Sequence, residues 1–193
     1  FLKIPITYSV VSNIDKEHLD YYKNFNNLYK SFETFINKTP LIGKSFVCTD
    51  DKFLKKILRK KNKSNIITYG FERGSDLHPY NVKNSGKMMV FNISVKLNNK
   101  VEHIKNVELN LLGRHNVLNA TAAIGVAKSL GIKNNTIKTT LKNFLGVQRR
   151  LTKITNFRGS EIYDDYAHHP TEIISVLNAI KSGFKEKKIV TVF

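Results

Sequence analysis

The chain has 193 residues, enough for one ordinary domain or two small ones. Apolar residues make up 41% and charged residues 24% of the sequence, which is close to the globular average and excludes global disorder. No run approaches the roughly 20 apolar residues of a membrane-spanning helix, and no signal peptide opens the chain, so we expect no membrane partner. Apolar runs at residues 4–11 and 189–193 meet the two ends. We therefore expect a fragment of a longer protein.

The charge of the chain is strongly positive, with 32 Lys and Arg against 15 Asp and Glu and a formal net charge of +17. This balance favours an anionic partner, either nucleic acid or a small phosphate-bearing molecule. However, 26 of the basic residues are Lys, and they are scattered along the chain. Only residues 52–63 form a dense run, which is typical of the exposed face of a helix. We expect no nucleic-acid partner, and a basic nucleic-acid-binding module is the alternative of a different class.

The single cysteine, Cys48, excludes an internal disulfide. It lies in an apolar run, which favours a small buried core residue over a nucleophile. Such cysteine usage is typical of a reducing compartment, and we expect a cytoplasmic protein.

Strands and helices alternate in the first part of the chain. Apolar periodicity predicts a buried strand over residues 4–14, which runs into a polar loop at 13–24. Asp50 is the predicted N-cap of the second helix. The order β-α-β-α-β favours a parallel sheet with right-handed crossovers. The further elements predicted here are a helix over 25–37, a strand over 45–49, a helix with Phe53, Leu54, Ile57 and Leu58 on one face, and a strand over 66–69.

The middle of the chain changes character, because apolar residues alternate over 89–97 and again over 107–111, with a turn at Asn98-Asn99. This pattern predicts an antiparallel hairpin with one wet face. Gly113 precedes an Ala-rich helix over 116–130 that Gly131 closes. The remaining predictions are a helix capped by Asn134 or Asn135 with Ile137, Leu141 and Phe144 facing inward, strands over 151–155 and 161–164, a helix from Pro170, and a last strand at 189–193.

Two polar groups of residues flank predicted strands or helices in the first two thirds of the chain. Residues 12–20 follow the first strand, at the edge where open α/β sheets bind ligands, and their His and three carboxylates suit a metal. A solvated loop is the alternative. Residues 113–120 open a helix with Gly, a basic pair and two Asn, which suits a nucleotide or another anion. There the alternative is a glycine turn with Asn116 as the cap.

Two further groups follow. Arg149 and Arg150 can clamp phosphate oxygens in a bidentate manner, or they form surface ion pairs. Residues 163–172 crowd two Asp, two His and two Tyr into one strand-to-helix turn with Pro170 as the first helical residue. A hydrated loop with a capping His is the alternative for this turn.

These four groups resemble motifs of the Mur ligase family. Residues 164–172, Asp-Asp-Tyr-Ala-His-His-Pro-Thr-Glu, are similar to a signature of that family. Residues 113–120 resemble its nucleotide-contacting motif, residues 12–20 its metal loop, and Arg149-Arg150 its boundary arginines. The order and the spacing of the motifs match over nearly the whole chain.

The resemblance implies an α/β fold, with a central, mainly parallel sheet flanked by helices, a small antiparallel sheet, and the start of a Rossmann-like C-terminal domain. Residues 1–147 would form most of the central ATP-binding domain and residues 148–193 the beginning of the C-terminal domain. The implied activity is the ATP-dependent joining of L-alanine to UDP-N-acetylmuramate through an acyl phosphate, in peptidoglycan synthesis. The alternative within the family is the ligase that recycles a murein tripeptide, which Tyr166 and Glu172 disfavour.

The resemblance also implies roles for individual residues, with ATP and Mg²⁺ as cofactors. His18 would be catalytic as a magnesium ligand, although magnesium prefers oxygen ligands. Glu33 stands at the spacing of a further lysine-derived ligand, and we expect no metal role for it. The other implied roles are ATP binding by His115, Asn116, Asn119, Arg150 (also catalytic, on the γ-phosphate) and Asp165, and substrate binding by Asn13, Tyr166 and His168.

One motif of the family is missing from the sequence. The Gly-rich phosphate loop that ends in Lys-Thr or Lys-Ser has no counterpart, because Gly43-Lys44-Ser45 lacks the preceding glycines and falls between a helix and a strand. We therefore expect this chain to be inactive by itself.

Overall fold

The computed structural model describes residues 1–59, 64–184 and 187–192. Two sheets organise this part of the chain, one of six strands and one of two. The strands are β1 (Tyr8–Val11), β2 (Lys44–Cys48), β3 (Ile66–Tyr69), β4 (Leu77–Ser85), β5 (Met88–Leu97), β6 (Lys100–Leu109), β7 (Thr152–Phe157) and β8 (Ser160–Asp164). The helices are α1 (Leu19–Tyr22), α2 (Phe25–Lys38), α3 (Lys52–Arg59), α4 (Arg114–Ser129), α5 (Asn134–Asn143) and α6 (Pro170–Gly183).

The large sheet has the order β1-β2-β3-β4-β5-β6. Its first four strands are parallel, and β4, β5 and β6 pair antiparallel. The antiparallel strands extend the parallel sheet, while β7 and β8 form a separate antiparallel pair. The predicted α/β class, with parallel strands first and an antiparallel hairpin after them, is confirmed.

Buried apolar side chains explain the two helices between the parallel strands. In α2, Leu28 and Ile36 are buried, and the Asn24 side chain caps the helix by accepting a hydrogen bond from the Asn27 amide (2.9 Å). In α3, Leu54 and Ile57 are buried while the lysines lie on the opposite face. The rest of the basic run, residues 60–63, falls outside the described residues.

The N-cap prediction for α3 is wrong by one residue. Asp51, not Asp50, accepts the amide hydrogen bonds of Phe53 and Leu54, at 2.9 and 2.8 Å. Asp50 instead accepts from the amide of Phe71, the residue after Gly70 at the end of β3 (3.0 Å). Two adjacent Asp residues offer equivalent caps in sequence, and only the tertiary position of Phe71 distinguishes them.

Strand β4 was not predicted, because its sequence contains Pro79 and two Asn, which are poor strand residues. Its pairing with β5 shifts register between Tyr80 and Lys83, where Asn81 has φ 52°. The strand is held by its neighbours on both sides, which outweighs its weak local preference. The β5–β6 hairpin and its Asn98-Asn99 turn are confirmed.

Several predicted boundaries are corrected. The first strand covers only residues 8–11, and a short helix, α1, interrupts the predicted loop. Helix α5 begins at Asn134 after Lys133, without a side-chain cap, and Phe144 is 41% exposed rather than facing inward. Residues 187–192 form no strand, and residue 193 lies outside the described residues.

Helix α4 covers the central sheet, and its small residues allow a close approach. Gly125 faces β4 and β2, and a Cβ there would lie 2.3 Å from Leu77 Cδ1 and 2.8 Å from Phe46 Cε1. A larger residue at position 125 would separate helix and sheet, which explains why this helix is rich in Ala and Gly. Cys48 is buried in the same core, as predicted.

Helix α6 connects the β7–β8 pair to the large sheet. Its Ala179 is buried, and Gly183 lies against Leu112, so that a Cβ on Gly183 would be 2.5 Å from Leu112 Cδ1. Within the described ranges, no helix is both long and apolar enough to span a bilayer.

Candidate active site

A cleft of about 980 Å³ opens at the carboxyl ends of the parallel strands. This is the edge at which open α/β sheets bind ligands, because loops from several strands converge there. Polar residues of three groups line it: the loops after β1 and β2, the first two turns of α4, and a group that joins residues 146–151 to Asp165 and α6. The predicted site residues Asn13, His115, Asn116, Asn119, Arg150 and Asp165 are among the lining residues.

The loop after β1 brings carboxylates into the cleft. Asp15 and Glu17 line it, while buried Ile14 anchors the loop. His169, the N-cap residue of α6, lies opposite, with its Nδ1 atom 3.5 Å from Asp15 Oδ2 and 3.7 Å from Glu17 Oε1. A hydrogen bond from the Thr171 side chain, together with His169, lowers the pKa of Asp15. Asp15 is therefore ionised at neutral pH, and both acids join the β1 loop to α6 through His169.

His18 occupies the end of this loop with a left-handed backbone, φ 54° and ψ 33°, and precedes α1. Its side chain is exposed, and among the described residues it is not one of those that line the cleft. Glu33 lies in α2 and is not one of the residues that line the cleft. The metal role of His18 stays a prediction.

The oxygen donors around the cleft suit a magnesium ion that takes only one or two of its ligands from the protein. Asn13, Asp15 and Glu17 supply amide and carboxylate oxygens, but the described residues assemble no group of three His, Cys, Asp or Glu ready to enclose a metal. Magnesium typically keeps several waters and binds through one or two carboxylates plus substrate phosphates. The donor set fits that mode and does not fit a closed protein cage.

The first two turns of α4 contribute His115, Asn116 and Asn119. Gly113, the N-cap residue at φ 97°, lets the chain enter the helix beside α6. Burial lowers the pKa of His115, and Arg150 acts in the same direction against the opposing effect of Asp165. His115 is therefore neutral at pH 7. Asn116 is not the N-cap: its side-chain amide donates to the Leu112 carbonyl (2.8 Å), and Asn119 donates to the Asn116 side chain (3.4 Å).

Asp165 organises the third side of the cleft. Its Oδ2 atom accepts from the Leu151 amide (2.7 Å) and its Oδ1 atom from the Ala167 amide (2.8 Å). The Tyr166 amide donates to the Arg149 carbonyl (2.7 Å). The Leu151 and Tyr166 bonds tie the arginine segment to the turn after β8, while the Ala167 bond lies within that turn, so that the two motifs form one wall.

Arg150 meets Glu172 across this wall, with 3.2 Å between Nη1 and Oε1. Burial alone would raise the pKa of Glu172, but the hydrogen bonds from Arg150 and from the His168 amide lower it overall. Glu172 is therefore ionised at neutral pH, and the pair is partly exposed, so Arg150 can exchange this carboxylate for a phosphate oxygen at modest cost.

Tyr166 and His168 project to one side of the turn, as expected for residues two apart on an extended backbone. Their rings meet edge to face at 5.4 Å, and the Arg149 guanidinium lies 4.8 Å from the centre of the Tyr166 ring. Asp165 points the other way, into the cleft. Tyr166 is 52% exposed and His168 is exposed, outside the lining residues. Their contact with an acceptor substrate stays a prediction.

Sequence reasoning missed several cleft residues. Asp50 and Asp51 follow β2 after one intervening residue, and the preference of ligands for the carboxyl ends of parallel strands applies to them as it does to the loop after β1. Cys48 and Tyr69 form part of the floor, and burial raises the pKa of the Cys48 thiol to about 11, which leaves it protonated and unreactive at neutral pH. The capping His that the sequence offers as the alternative for this turn is His169, whose side chain accepts a hydrogen bond from the Thr171 amide at the start of α6.

Comparison with known proteins gives matches over the whole chain. A family model for the Mur ligase middle domain matches residues 2–127, and one for the Mur ligase glutamate ligase domain matches residues 149–193. The chain is 44% identical over 194 aligned residues to a UDP-N-acetylmuramate–L-alanine ligase from Pelagibacter ubique, covering 100% of this chain and 42% of that protein. A ligase of the same name from Hydrogenobaculum is 42% identical over 196 residues, with the same two shares. The chain thus spans less than half the length of these relatives.

Solved structures share the fold. The UDP-N-acetylmuramate–alanine ligase MurC from Thermotoga maritima superposes with a TM-score of 0.76 at 24% identity, over 97% of this chain and 41% of that one. A MurF ligase from Thermotoga maritima, in complex with ADP, has a TM-score of 0.72 at 18% identity, over 92% and 40% of the two chains.

Proposed function

The chain belongs to the Mur ligase family, and from this premise we propose that the protein containing it joins L-alanine to UDP-N-acetylmuramate with conversion of ATP to ADP and phosphate. The observation that carries the proposal is the 44% identity, over the whole chain, to a relative named for this reaction. The reaction would take place in the cytoplasm, as one step of peptidoglycan synthesis.

In the proposed reaction, the lactyl carboxylate of the nucleotide sugar attacks the γ-phosphorus of ATP and releases ADP. The amine of L-alanine then attacks the acyl phosphate, and the tetrahedral intermediate expels inorganic phosphate and leaves the amide. This chemistry needs no protein nucleophile. It needs substrates held in line and cations that offset the phosphate charge.

The cleft supports these requirements residue by residue. Arg150 would leave Glu172 to reach the γ-phosphate, because a guanidinium pairs with phosphate oxygens in a bidentate manner. The neutral His115 ring and the Asn119 amide would contact adenine, with Asn116 holding Asn119 in place. Asp165 keeps acceptor capacity for the ribose hydroxyls while both its oxygens bind backbone amides.

The remaining assignments concern the metal and the acceptor. His18 would hold magnesium together with the phosphates, and the bound ion would offset the charge of the γ-phosphate. Asn13 would bind the sugar substrate. Tyr166 and His168 would read the amino acid, since their hydroxyl and ring nitrogen suit a small zwitterion. They lie on the same side of the turn in support of this role.

The test is ADP release by the full-length protein, measured with UDP-N-acetylmuramate and with either L-alanine or a murein tripeptide. Release that depends on L-alanine and on the nucleotide sugar supports the proposal. Release only with the tripeptide would assign the protein to the recycling reaction. If the protein releases no ADP with either L-alanine or the tripeptide, the family-based function is refuted.

A nucleic-acid-binding module is the alternative that the charge of +17 suggests. Filter binding of a DNA duplex at two salt concentrations distinguishes it, because phosphate neutralisation produces a steep loss of affinity with salt. We expect only weak binding that does not depend on sequence. A tight complex with DNA at about 150 mM salt would favour the nucleic-acid-binding module over the ligase.

A further inference from the structure

A second set of contacts between α6, the β7–β8 pair and the large sheet lies outside the cleft. The turn between β4 and β5 consists of Gly86, at φ 60°, and Lys87. Such a two-residue turn between paired strands leaves little freedom to its residues. The turn therefore holds Lys87 at a defined position at the end of the large sheet. Asn84, one residue before the end of β4, lies beside the turn.

Lys87 reaches a carboxylate on β8. Its Nζ atom lies 2.7 Å from Glu161 Oε1 and 3.2 Å from the Tyr163 hydroxyl, and 5.1 Å from the centre of the Phe184 ring. Tyr163 and Phe184 meet edge to face at 5.6 Å. The ammonium thus lies among a carboxylate, a phenol oxygen that accepts its hydrogen bond, and the Phe184 ring, and each of these three groups attracts a cation.

Asn84 makes the second contact of the turn. Its side-chain amide donates to the Ser182 carbonyl (2.7 Å), in the last turn of α6. Carbonyls in the last turn of a helix lack partners within the helix, and an amide from outside satisfies one of them. The hairpin thus binds both β8 and the end of α6.

These contacts affect the cleft because, of the two elements they hold, β8 leads into a residue that lines it and α6 carries others. Glu161 lies on the strand that leads directly into Asp165, and α6 lines the cleft with Thr171 and Glu172 near its start. Displacement of β8 or α6 would move the wall that carries Asp165. At the other end of α6, His169 meets Asp15 and Glu17, so the helix is held at both ends.

We propose that the β4–β5 turn, through Lys87 and Asn84, is a clasp that holds the C-terminal part of the chain in register with the large sheet, and that Lys87 is a positioning residue for the ATP cleft. Its effect on catalysis rests on the proposed ligase function. Its effect on the geometry does not.

Glu161 supplies a matched control for this proposal. Lys153 on β7 approaches the same Oε1 atom, at 2.8 Å, but it belongs to the same two-stranded sheet as Glu161. Lys87→Met and Lys153→Met each remove one ammonium from one carboxylate, and only the first breaks a contact between the two sheets. Lys142→Met, which breaks a 2.8 Å pair with Glu108 beside the large sheet, controls for the loss of an exposed ion pair.

The first experiment measures geometry in the full-length protein. Spin labels at Lys100 and Arg158, both exposed at hairpin turns of the two sheets, report the distance between the sheets. We expect Lys87→Met to broaden or shift the distance distribution, Asn84→Ala to add to that change, and both control variants to match the wild type. An unchanged distribution in Lys87→Met, or an equal change in Lys153→Met, would overturn the clasp.

The second experiment measures kinetics on the same variants. We expect Lys87→Met to raise KM for ATP roughly 3- to 10-fold, equivalent to about 0.7–1.4 kcal/mol, with a smaller change in the melting temperature. Lys87→Arg, which retains the charge, should restore KM. Equal KM values in Lys87→Met and Lys153→Met would refute the positioning role. If the wild-type protein shows no ligase activity, the proposed function fails, and the distance measurement still decides the clasp.

Discussion

Gly113 and Ala179 are so close that a Cβ atom on Gly113 would lie 2.8 Å from the Ala179 Cβ. The same atom would lie 2.7 Å from the His115 ring. This contact joins the start of α4 to α6 and sets the distance between residues 113–120 and the wall that carries Asp165. Glycine is required here for space as well as for its φ of 97°.

We expect Gly113→Ala to destabilise the protein by about 2–5 kcal/mol, from backbone strain together with overpacking. Gly74→Ala is the matched control, because Gly74 has φ 103° but a Cβ added there would project into open space. It should show only the strain, about 1–3 kcal/mol. Urea unfolding of the two variants measures the difference. Equal losses would mean that the contact with Ala179 yields at no cost.

Different residues of the turn after β8 should bind L-alanine and ATP. We expect Tyr166→Phe and His168→Ala to raise KM for L-alanine about 10- to 150-fold, the loss of one hydrogen bond to a charged ligand group, about 1.5–3 kcal/mol. KM for ATP should change much less. Steady-state kinetics of the full-length protein with each substrate varied in turn make the measurement.

Asp165→Asn should do the reverse and raise KM for ATP more than KM for L-alanine. Its carboxylate also accepts from the Leu151 and Ala167 amides, so the variant should lose some stability as well. A thermal melt of each variant, recorded beside the kinetics, separates the two effects. If all three substitutions change both KM values equally, the turn acts as one structural unit and the residue assignments fail.

His18→Ala in the full-length protein should reduce turnover by at least about 10- to 100-fold, the loss typical even for residues that only support a metal ligand. Because His18 is exposed, its stability should change by no more than about 0.5 kcal/mol. Lys23→Ala is the control, since Lys23 is also exposed, at the other end of α1, with φ 66°. A fall in melting temperature without loss of activity per folded molecule would make His18 a structural residue.

Glu161 should make stability sensitive to acid. Hydrogen bonds from Lys153 and Lys87 lower its pKa to about 2, below the ordinary 4.5. A lowered pKa means that the ionised group stabilises the folded state fully above pH 4.5, and that this contribution is lost as pH falls toward 2. Melting temperatures of the wild type and of Glu161→Gln should therefore converge between about pH 5 and about pH 2.

Ser160→Ala, on the same strand and without an ionisable group, should follow the wild type throughout that range. A constant difference between the wild type and Glu161→Gln across the same range would show that the carboxylate charge contributes nothing to the clasp.

Local patterns in the sequence determined much of this protein. Apolar periodicity placed α2, α3 and the β5–β6 hairpin, because their apolar residues repeat with the period of the element, and two glycines bracketed the Ala-rich α4. The motifs also contain most of the polar residues of the cleft, since residues after parallel strands and at helix starts meet at one edge of the sheet.

Only the tertiary structure decided the rest. Strand β4, with Pro79 and two Asn, exists because β3 and β5 pair with it, and Asp51 rather than Asp50 caps α3 because Phe71 binds Asp50. The contact of Lys87 with Glu161 joins residues 74 positions apart, and nothing local to either residue indicates it. Long-range contacts of this kind depend on where whole strands and helices pack, and a local sequence pattern does not predict that packing.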